Sequence, residues 1–257
     1  MLEQLSESKG LSEKNSISVI TVVYNDVKHI RETMESFFSQ SWENKEYIVI
    51  DGGSTDGTVD IIQEYCDRLA FWCSEKDNGI YDAMNKGIAH AQGDWINFLN
   101  SGDLFVDKFV LQHCMELSQN TKADVLYGNS QERFKGKARH IEAYADPRIM
   151  DLVPAYRHGS SFVRAKVHKV YKFDLSKCAE LDYALDWELI HRLYMQGFKF
   201  YKLDMEIQSF QKEGISNNTI RSLWYNYLIT SEGRFNLRKF IHFIRITTTT
   251  LIKRGYT

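Results

Sequence analysis

Short apolar runs alternate with amphipathic stretches along the first part of the chain. The apolar runs have the pattern of strands buried on both faces of a sheet, and they are Ile17–Tyr24, Tyr47–Ile50, Ala70–Cys73 and Trp95–Leu99. After the first run, Ile30, Met34 and Phe37 recur at helical spacing. This alternation predicts an α/β fold with βαβ units, right-handed crossovers and a mostly parallel sheet flanked by helices.

The second half of the chain predicts a small antiparallel extension of that sheet. Its strand-like segments are short, and they are Val125–Tyr127, Gln131–Phe134, Arg139–Ala143, Lys199–Leu203 and Glu206–Phe210. Phe109–Leu117 and Asp186–Met195 have helical patterns, whereas Ser160–Val163 fits either class. Beyond Asn217 the pattern is helical.

We expect three parts in the chain. Residues 1–15 are polar and charged and predict a flexible leader, and residues 217–257 predict a helical tail. The domain between them, residues 16–216, is expected to have two halves, 16–128 and 129–216. The leader has no apolar core, so it does not resemble a signal peptide. No run of 18 apolar residues occurs, so no membrane-spanning helix is predicted.

Charge and cysteine content argue against a general nucleic-acid-binding protein and against a structural zinc site. The net charge of −2 argues against a general nucleic-acid-binding protein, which needs a basic excess. The four cysteines, which are Cys66, Cys73, Cys114 and Cys178, form no CxxC pair and no zinc-type spacing with histidine. A reduced, cytoplasmic compartment is therefore expected. No feature of the sequence predicts an oligomeric state.

Two turns that carry carboxylates follow predicted buried strands. They are Asp51–Gly57 and Asn100–Asp103. Open α/β sheets bind ligands outside the carboxyl ends of their strands. Asp51 could therefore accept a hydrogen bond from a base, and Asp103 could hold Mg²⁺ or Mn²⁺ on a diphosphate. Each residue also fits a plain turn or capping role, and the sequence leaves both alternatives open.

Further candidates lie in the second half. Asp186 opens a predicted helix, where it could cap the helix or act as a general base, and Asp182 competes for the second role. His158 lies in a polar, glycine-containing segment that suits either a structural or a ligand-binding role. The turn Gly214–Ser216 could hold a phosphate or simply close a loop.

Taken in order, several of these segments resemble the sequence blocks of family 2 glycosyltransferases. The blocks are Thr21–Asn25, Ile48–Gly57, Asn78–Gly87, Phe98–Asp103, Arg157–Gly159 and Ala184–Glu188. The resemblance covers about residues 16–216 and is strongest to the bacterial subgroup that builds extracellular polysaccharide, O-antigen and colanic-acid-type repeat units. Each block is a weak signal alone, but the ordered set is specific.

The resemblance implies a GT-A fold, a nucleotide-diphospho-sugar donor (a UDP-sugar), Mg²⁺ or Mn²⁺, and an inverting transfer. Asp103 would be the metal ligand and Asp186 the catalytic base. The donor-binding residues would be Thr21, Tyr24, Asp51, Asp77, Asn78, Lys86, Asn100, Ser101 and His158. The first half would bind the donor and the second half the acceptor, a saccharide or a polyprenyl-diphosphate-linked saccharide of bacterial surface polysaccharide or lipopolysaccharide biosynthesis.

Two departures from the family pattern matter. Asn100 and Gly102 stand where many relatives carry aspartates, so Asp103 is the only carboxylate of its turn, and Met84 replaces a frequent arginine. These departures motivate an alternative, a catalytically silent nucleotide-sugar-binding partner of a glycosyltransferase complex. A nucleotidyltransferase is disfavoured because no glycine-rich loop bearing Lys or Arg follows the first strand.

The tail is basic and aromatic. Between Arg221 and Arg254 it carries seven Lys or Arg residues and one acid, Glu232. Such a helix can pack on the domain with a solvated basic face, or rest on the inner face of the cell membrane as a basic amphipathic helix. The second arrangement would bring residues 220–257 into peripheral contact with the membrane.

Overall fold

A computed structural model describes residues 2–4, 15–211 and 219–255 of the 257-residue chain. Two sequence expectations lie outside these ranges, namely most of the leader (residues 1 and 5–14) and the turn Gly214–Ser216. Leu2–Gln4, which belongs to the expected leader, is described as a short strand.

The described residues form one mixed sheet. Its strands, in chain order, are β1 (Leu2–Gln4), β2 (Ile17–Val23), β3 (Lys45–Asp51), β4 (Phe71–Ser74), β5 (Trp95–Phe98), β6 (Leu104–Phe105), β7 (Val125–Phe134), β8 (Lys137–Ile141), β9 (Ser161–Arg164) and β10 (Phe200–Gln211). Their spatial order is β1-β4-β3-β2-β5-β9-β7-β10-β6, with β8 beside β7.

The α-helices connect and cover this sheet. They are α1 (Ile30–Phe38), α2 (Thr58–Gln63), α3 (Ile80–His90), α4 (Val110–Ser118), α5 (Ala165–Val170), α6 (Cys178–Leu181), α7 (Leu185–Met195), α8 (Thr219–Thr230) and α9 (Leu237–Gly255). One buried apolar cluster includes residues of α1, α2 and α4, and another includes residues of α3, α7 and α8. The sheet is therefore covered by helices on both faces, as expected for an α/β domain.

Strands β4, β3, β2 and β5 are parallel neighbours, and they confirm the βαβ prediction. The second half is less simple than expected. Strand β9, in the segment that fitted either class, lies inside the sheet and is antiparallel to both β5 and β7. Strands β7 and β10 run parallel and are each continuous, although two strands had been predicted in each region. Register shifts between Lys202 and Gln208 explain why the apolar pattern of β10 is interrupted.

The C-terminal helices extend the fold as the sequence predicts. Helix α8 packs on the domain, where the rings of Tyr183 and Tyr225 lie 5.3 Å apart. Helix α9 packs on α8 through Phe240 and Phe243, whose rings lie 5.6 Å from those of Tyr227 and Trp224 respectively. Across the described ranges, no helix combines the length and the apolar character needed to span a bilayer.

Candidate functional site

The carboxyl ends of β2, β3, β4 and β5 lie side by side because these strands are parallel neighbours. This edge and its turns carry several predicted site residues, among them Tyr24, Asp51, Asp77 and Asp103. Strand β9 runs antiparallel to β5, so the segment that precedes β9 reaches the same edge with Arg157 and His158. This is the edge at which open α/β sheets bind ligands.

The Asn100–Asp103 turn has a fixed backbone. The Asp103 amide donates to the Asn100 carbonyl at 2.9 Å, and Gly102 adopts a positive φ of 90°, which favours glycine. The Thr33 hydroxyl accepts from the Gly102 amide at 2.9 Å and donates to the Asp103 carbonyl at 3.0 Å. Helix α1 therefore holds the turn through Thr33 while the Asp103 carboxylate stays out of this bonding.

Two oxygen groups of the turn suit a hard cation. Burial raises the pKa of Asp103 to about 6, against the opposing charges of Arg157 and Arg133. Among the residues that the structure describes, the buried side-chain oxygen of Asn100 has no hydrogen-bond partner. Mg²⁺ and Mn²⁺ prefer oxygen ligands of this kind. Within the part of the chain that the structure describes, no group of three His, Cys, Asp or Glu residues could hold a metal.

The side chain of Ser101, in the same turn, forms a hydrogen bond to the loop after β2. Its hydroxyl donates to Asp26 at 2.7 Å, and the other oxygen of that carboxylate lies 2.6 Å from Nδ1 of His29. Asp26 follows β2, so this chain of contacts links the ends of β2 and β5. The hydroxyl of Ser101 therefore has a structural role in this state, and its predicted contact with the donor stays a prediction.

Asp51 organises the turn after β3. Its buried carboxylate accepts from the amides of Gly53 and Ser54 at 3.0 and 2.9 Å. It also accepts from the hydroxyls of Ser54 and Ser74 at 2.5 and 2.7 Å. These donors satisfy the buried charge and fix the loop, so a contact with a base would be made in addition to them.

The loops after β2, β3 and β4 form one wall at Gly52. A Cβ atom at Gly52 would lie 2.7 Å from the Asp77 carboxylate and 3.4 Å from the Tyr24 ring, so a side chain here would displace the Asp77 carboxylate. Tyr24 is 65% exposed, and its ring is available to a ligand. The structure therefore brings three predicted residues together: Tyr24, Asp51 and Asp77.

Thr21, by contrast, is fully buried. Its hydroxyl donates to the Leu99 carbonyl at 2.6 Å and lies 2.7 Å from the hydroxyl of Tyr47. These contacts join β2 to its neighbours. A direct contact of Thr21 with a nucleoside stays a prediction, and it would require the side chain to leave these partners.

Asn78 and Lys86 flank the first turns of α3. The backbone amide and side-chain nitrogen of Asn78 donate to Asp82 at 3.0 and 3.3 Å, and the Asn78 side chain is exposed. The Lys86 ammonium lies 2.9 Å from Glu75 and 3.8 Å from Asp82. Partial burial opposes the charge of Lys86, but these carboxylates outweigh it and raise its pKa.

Asp186 lies in the first turn of α7 and accepts from the amide of Trp187 at 2.7 Å. Its charge acts on Arg157 and His158, so it faces the same edge as Asp103. The competing Asp182 is half exposed and lies 3.1 Å from Arg221 of α8. The geometry therefore favours Asp186 over Asp182 as the second-half carboxylate of the site.

His158 packs between aromatic rings, 5.1 Å from Phe98 and 5.6 Å from Phe173. Burial lowers its pKa, and the charge of Asp186 opposes that effect only in part. The imidazole is therefore neutral near pH 7. A neutral ring beside Asp186 can accept or donate a hydrogen bond but supplies no positive charge.

Two buried amide side chains, which the sequence interpretation missed, hold the His158 segment. The Asn97 amide donates to the carbonyls of Gly159 and Ser161, both at 2.8 Å, and Gln208 donates to the Phe98 carbonyl at 2.7 Å. The polar Asn97 inside the apolar run Trp95–Leu99 was the available signal. Gln208 gave no comparable signal because it sits in a strand of mixed character.

Two arginines of the site were also missed. Arg157 lies with its guanidinium carbon 3.4 Å from the centre of the Phe210 ring. Arg133 donates to the Gly102 carbonyl at 2.5 Å. Arg157 belongs to the Arg157–Gly159 block, which could have drawn attention to it, whereas only the fold brings Arg133 to the turn.

Comparison with protein families identifies the family to which this chain belongs. The model of the family described as glycosyl transferase family 2 matches residues 18–178. The chain belongs to glycosyltransferase family 2. The match includes β2, β3, β5, the Asn100–Asp103 turn and the Arg157–His158 segment, and it ends before α7 and Asp186.

Relatives of this family 2 chain are bacterial proteins named as glycosyltransferases. An uncharacterised glycosyltransferase of Mycobacterium tuberculosis strain H37Rv is 40% identical over 126 residues, which are 48% of each chain. EpsE of Bacillus subtilis is 27% identical over 198 residues, covering 73% of this chain and 69% of EpsE. The chain therefore spans about half the length of some of the relatives it matches.

Solved glycosyltransferase structures share the GT-A fold with this family 2 chain. Staphylococcus aureus TarS with UDP-GlcNAc superposes with a TM-score of 0.65 at 19% identity, covering 86% of this chain and 68% of TarS. The mannosyltransferase PcManGT of Pyrobaculum calidifontis, solved with GDP-Man and Mn²⁺, gives 0.64 at 15% identity and covers 87% and 66%. These likenesses establish the fold, and the expected GT-A architecture is confirmed.

Asp103→Asn should stabilise this family 2 domain in a pH-dependent way. The folded-state pKa of about 6 lies above the ordinary value of 3.8, so the wild-type carboxyl loses a proton more readily when unfolded. Wild-type stability should therefore fall as pH rises from about 4 to 6. We expect melting temperatures equal to wild type near pH 4 and about 2–4 °C higher at pH 8.

The exposed Asp204 provides the matched control, because Asp204→Asn removes a carboxylate that is not buried. Scanning calorimetry of both variants at the two pH values gives the measurement. An Asp103→Asn shift that is the same at pH 4 and pH 8 would contradict a buried, destabilised carboxylate.

Proposed function

We propose that this chain is a metal-dependent, inverting glycosyltransferase. It would transfer a sugar from a nucleotide-diphospho-sugar to a hydroxyl of a saccharide or a lipid-linked saccharide. The observation that carries the proposal is that the charges of Asp103, after β5, and Asp186, on α7, both act on Arg157 at the carboxyl edge of the sheet. A metal ligand and a general base need this arrangement on opposite sides of a transferred sugar.

The nucleoside would lie against the wall formed by Tyr24, Asp51 and Asp77. The exposed Tyr24 ring offers a face for base stacking, and the fixed Asp51 carboxylate offers an acceptor beside it. Among the other predicted donor contacts, Thr21, Asn78, Lys86, Ser101 and His158, only Asn78 is markedly exposed. We therefore expect Tyr24 and Asp51 to contribute most to recognition of the base.

Asp103 and Asn100 would hold Mg²⁺ or Mn²⁺, which when bound neutralises charge on the diphosphate leaving group. The Asn100 oxygen, which has no partner among the described residues, and the carboxylate of Asp103 in the same turn support this assignment. The Asp103 carboxyl must be ionised to act as a ligand, so metal binding should weaken below about pH 6.

Asp186 would take the proton of the acceptor hydroxyl. The oxygen of that hydroxyl forms a bond to the anomeric carbon while the bond from that carbon to the phosphate oxygen breaks, and the nucleoside diphosphate leaves with the electron pair. Attack opposite to the leaving group inverts the anomeric configuration. The hydrogen bond from the Trp187 amide keeps the Asp186 carboxylate oriented.

A UDP-sugar is the proposed donor, and a saccharide or polyprenyl-diphosphate-linked saccharide of bacterial surface polysaccharide, such as O-antigen of lipopolysaccharide, is the proposed acceptor. TarS with UDP-GlcNAc and a Mycobacterium tuberculosis glucosyl-3-phosphoglycerate synthase with Mn²⁺ and UDP support a uridine nucleotide. One of the similar structures contains GDP-Man, so GDP-sugars are also to be tested as donors.

A second candidate is a catalytically silent nucleotide-sugar-binding partner. The specific observation in its favour is that Asp103 is the only carboxylate of its turn and has a raised pKa. The two candidates differ in one measurement, which is the release of UDP from a UDP-sugar by the purified chain with Mn²⁺. A silent binder releases none.

Asp186→Asn should lower turnover by about 10²- to 10⁴-fold, the usual contribution of a general base, and leave UDP affinity within about twofold of wild type. The donor is first identified by a thermal-shift screen of UDP-, GDP- and dTDP-sugars with Mn²⁺. Turnover is then measured as release of the nucleoside diphosphate, and affinity by calorimetric titration with UDP.

Asp182→Asn is the matched control. Asp182 lies four residues before the proposed base, is half exposed and pairs with Arg221. It should keep near-normal turnover. If Asp186→Asn kept normal turnover, or if Asp182→Asn caused the larger loss, the assignment of the base would be wrong.

Helix α9 supports peripheral contact with the inner face of the cell membrane. Its aromatic residues pack on α8, which leaves a separate aliphatic face that is 47–62% exposed and consists of Leu237, Ile241, Ile244, Leu251 and Ile252. Arg238 and Arg245 are exposed beside this face, and α9 contains no acidic residue. An aliphatic stripe flanked by arginines suits an anionic bilayer surface. The proposed location is the cytoplasmic side of that membrane.

Replacing Ile241, Ile244 and Leu251 by serine should abolish binding to vesicles that contain phosphatidylglycerol, because the face loses its apolar contact with the lipid. Flotation of the full chain with such vesicles measures this. A control triple, Val170→Ser, Leu175→Ser and Met195→Ser, changes exposed apolar residues outside α9 and should float like wild type. Equal flotation of both triples, or none by wild type, would exclude the membrane role of α9.

A further inference from the structure

We propose that Arg157 binds the diphosphate of the donor directly and so gives this site nucleotide affinity that does not depend on the metal. The inference rests on the proposed function, because it assumes a nucleotide-diphospho-sugar at the same edge of the sheet. Neither the resemblance nor the family match assigns a role to this residue.

Two other cations near the site, Lys86 and Arg133, are already engaged. Lys86 lies 2.9 Å from Glu75 and 3.8 Å from Asp82, so two carboxylates compensate its charge. Arg133 donates to the Gly102 carbonyl and lies 3.9 Å from Glu32. Binding a diphosphate through either residue would require these contacts to be exchanged for new ones.

Arg157 is not engaged in this way. Among the described residues, its side chain makes no hydrogen bond and no ion pair, and it is exposed at the carboxyl edge of the sheet. The carboxylates of Asp103, Asp186 and Glu132 are close enough to act on its charge without contacting it. The side chain therefore places a positive charge near both the proposed metal ligand and the proposed base.

The guanidinium of Arg157 is also oriented in advance. Its central carbon lies 3.4 Å from the centre of the Phe210 ring, at the end of β10. Stacking on an aromatic face restrains the planar group while its N–H donors at the edge remain available. A planar fork with free donors matches the oxygens of a phosphate, and little conformational entropy is lost when it binds.

The Asn100–Asp103 turn carries only one carboxylate, and this increases the expected contribution of Arg157 to diphosphate binding. A turn with one carboxylate, Asp103, supplies fewer charged ligands to a metal than a turn with two or three. A diphosphate held partly by a guanidinium depends less on that metal. We therefore expect measurable UDP binding by the full chain in the presence of EDTA, and tighter binding with Mn²⁺.

Arg157→Met keeps an unbranched side chain on Phe210 but removes the charge and the donors. We expect it to weaken UDP binding about 10- to 100-fold in EDTA as well as in Mn²⁺, as for loss of a charge-assisted hydrogen bond. Uridine, which has no phosphate, should bind both proteins equally. Arg157→Lys should fall between them, because an ammonium keeps the charge but lacks the planar fork.

Arg164→Met is the matched control. Arg164 also stacks on an aromatic ring, with its guanidinium carbon 3.9 Å from Trp95, but it lies at the opposite end of β9 and pairs with the start of β5. Its substitution should leave the affinities for uridine and UDP unchanged. Calorimetric titration with uridine, UMP and UDP, with EDTA and with Mn²⁺, measures all of these constants.

Three outcomes would overturn the proposal. Arg157→Met could bind UDP as wild type does in EDTA and lose affinity only with Mn²⁺, in which case Arg157 acts through Asp103. It could lower the affinity for uridine as much as the affinity for UDP, which would indicate a structural role. It could bind UDP normally but bind a short polyprenyl diphosphate more weakly, which would indicate that Arg157 contacts the acceptor. Wild-type chain that binds neither uridine nor UDP would instead contradict the proposed function itself.

Discussion

Several carboxylates converge on the carboxyl edge of the sheet, and the properties of the site follow from how each is compensated. Asp51 accepts four hydrogen bonds from its own loop and from Ser74, so its buried charge is satisfied. Asp103 has no comparable donors among the described residues, and burial raises its pKa to about 6. An unsatisfied acidic group that the fold holds rigidly is a cost to stability, and a bound cation would remove that cost.

The sequence predicted the parts of the site that depend on local pattern. Buried parallel strands read as apolar runs, so β2, β3 and β5 and the turns that follow them were identified, and with them Asp51 and Asp103. The family blocks then indicated Asp186. A preference for Asp186 over Asp182 needed the fold, because only tertiary contacts show that Asp182 pairs with Arg221 and that the charge of Asp186 acts on Arg157.

Contacts between distant segments were beyond local pattern. Strand β9 is short and had no clear period, so its place between β5 and β7 was not predicted. The amides of Asn97 and Gln208, which join β5, β9 and β10, are 111 residues apart in sequence. Arg157 meets its partner Phe210 only because these strands are neighbours. The predicted basic tail proved to have two apolar faces, an aromatic one on α8 and an aliphatic one that is exposed.

The proposed mechanism depends most on the position of the diphosphate, between the Asn100–Asp103 turn and Arg157. A crystal structure of the chain with UDP and Mn²⁺, with manganese located by its anomalous scattering, measures that position directly. We predict a manganese peak coordinated by the Asp103 carboxylate and by the diphosphate, with the uracil beside Tyr24 and Asp51. Manganese or UDP bound elsewhere, with this edge of the sheet free of ligand, would contradict the account.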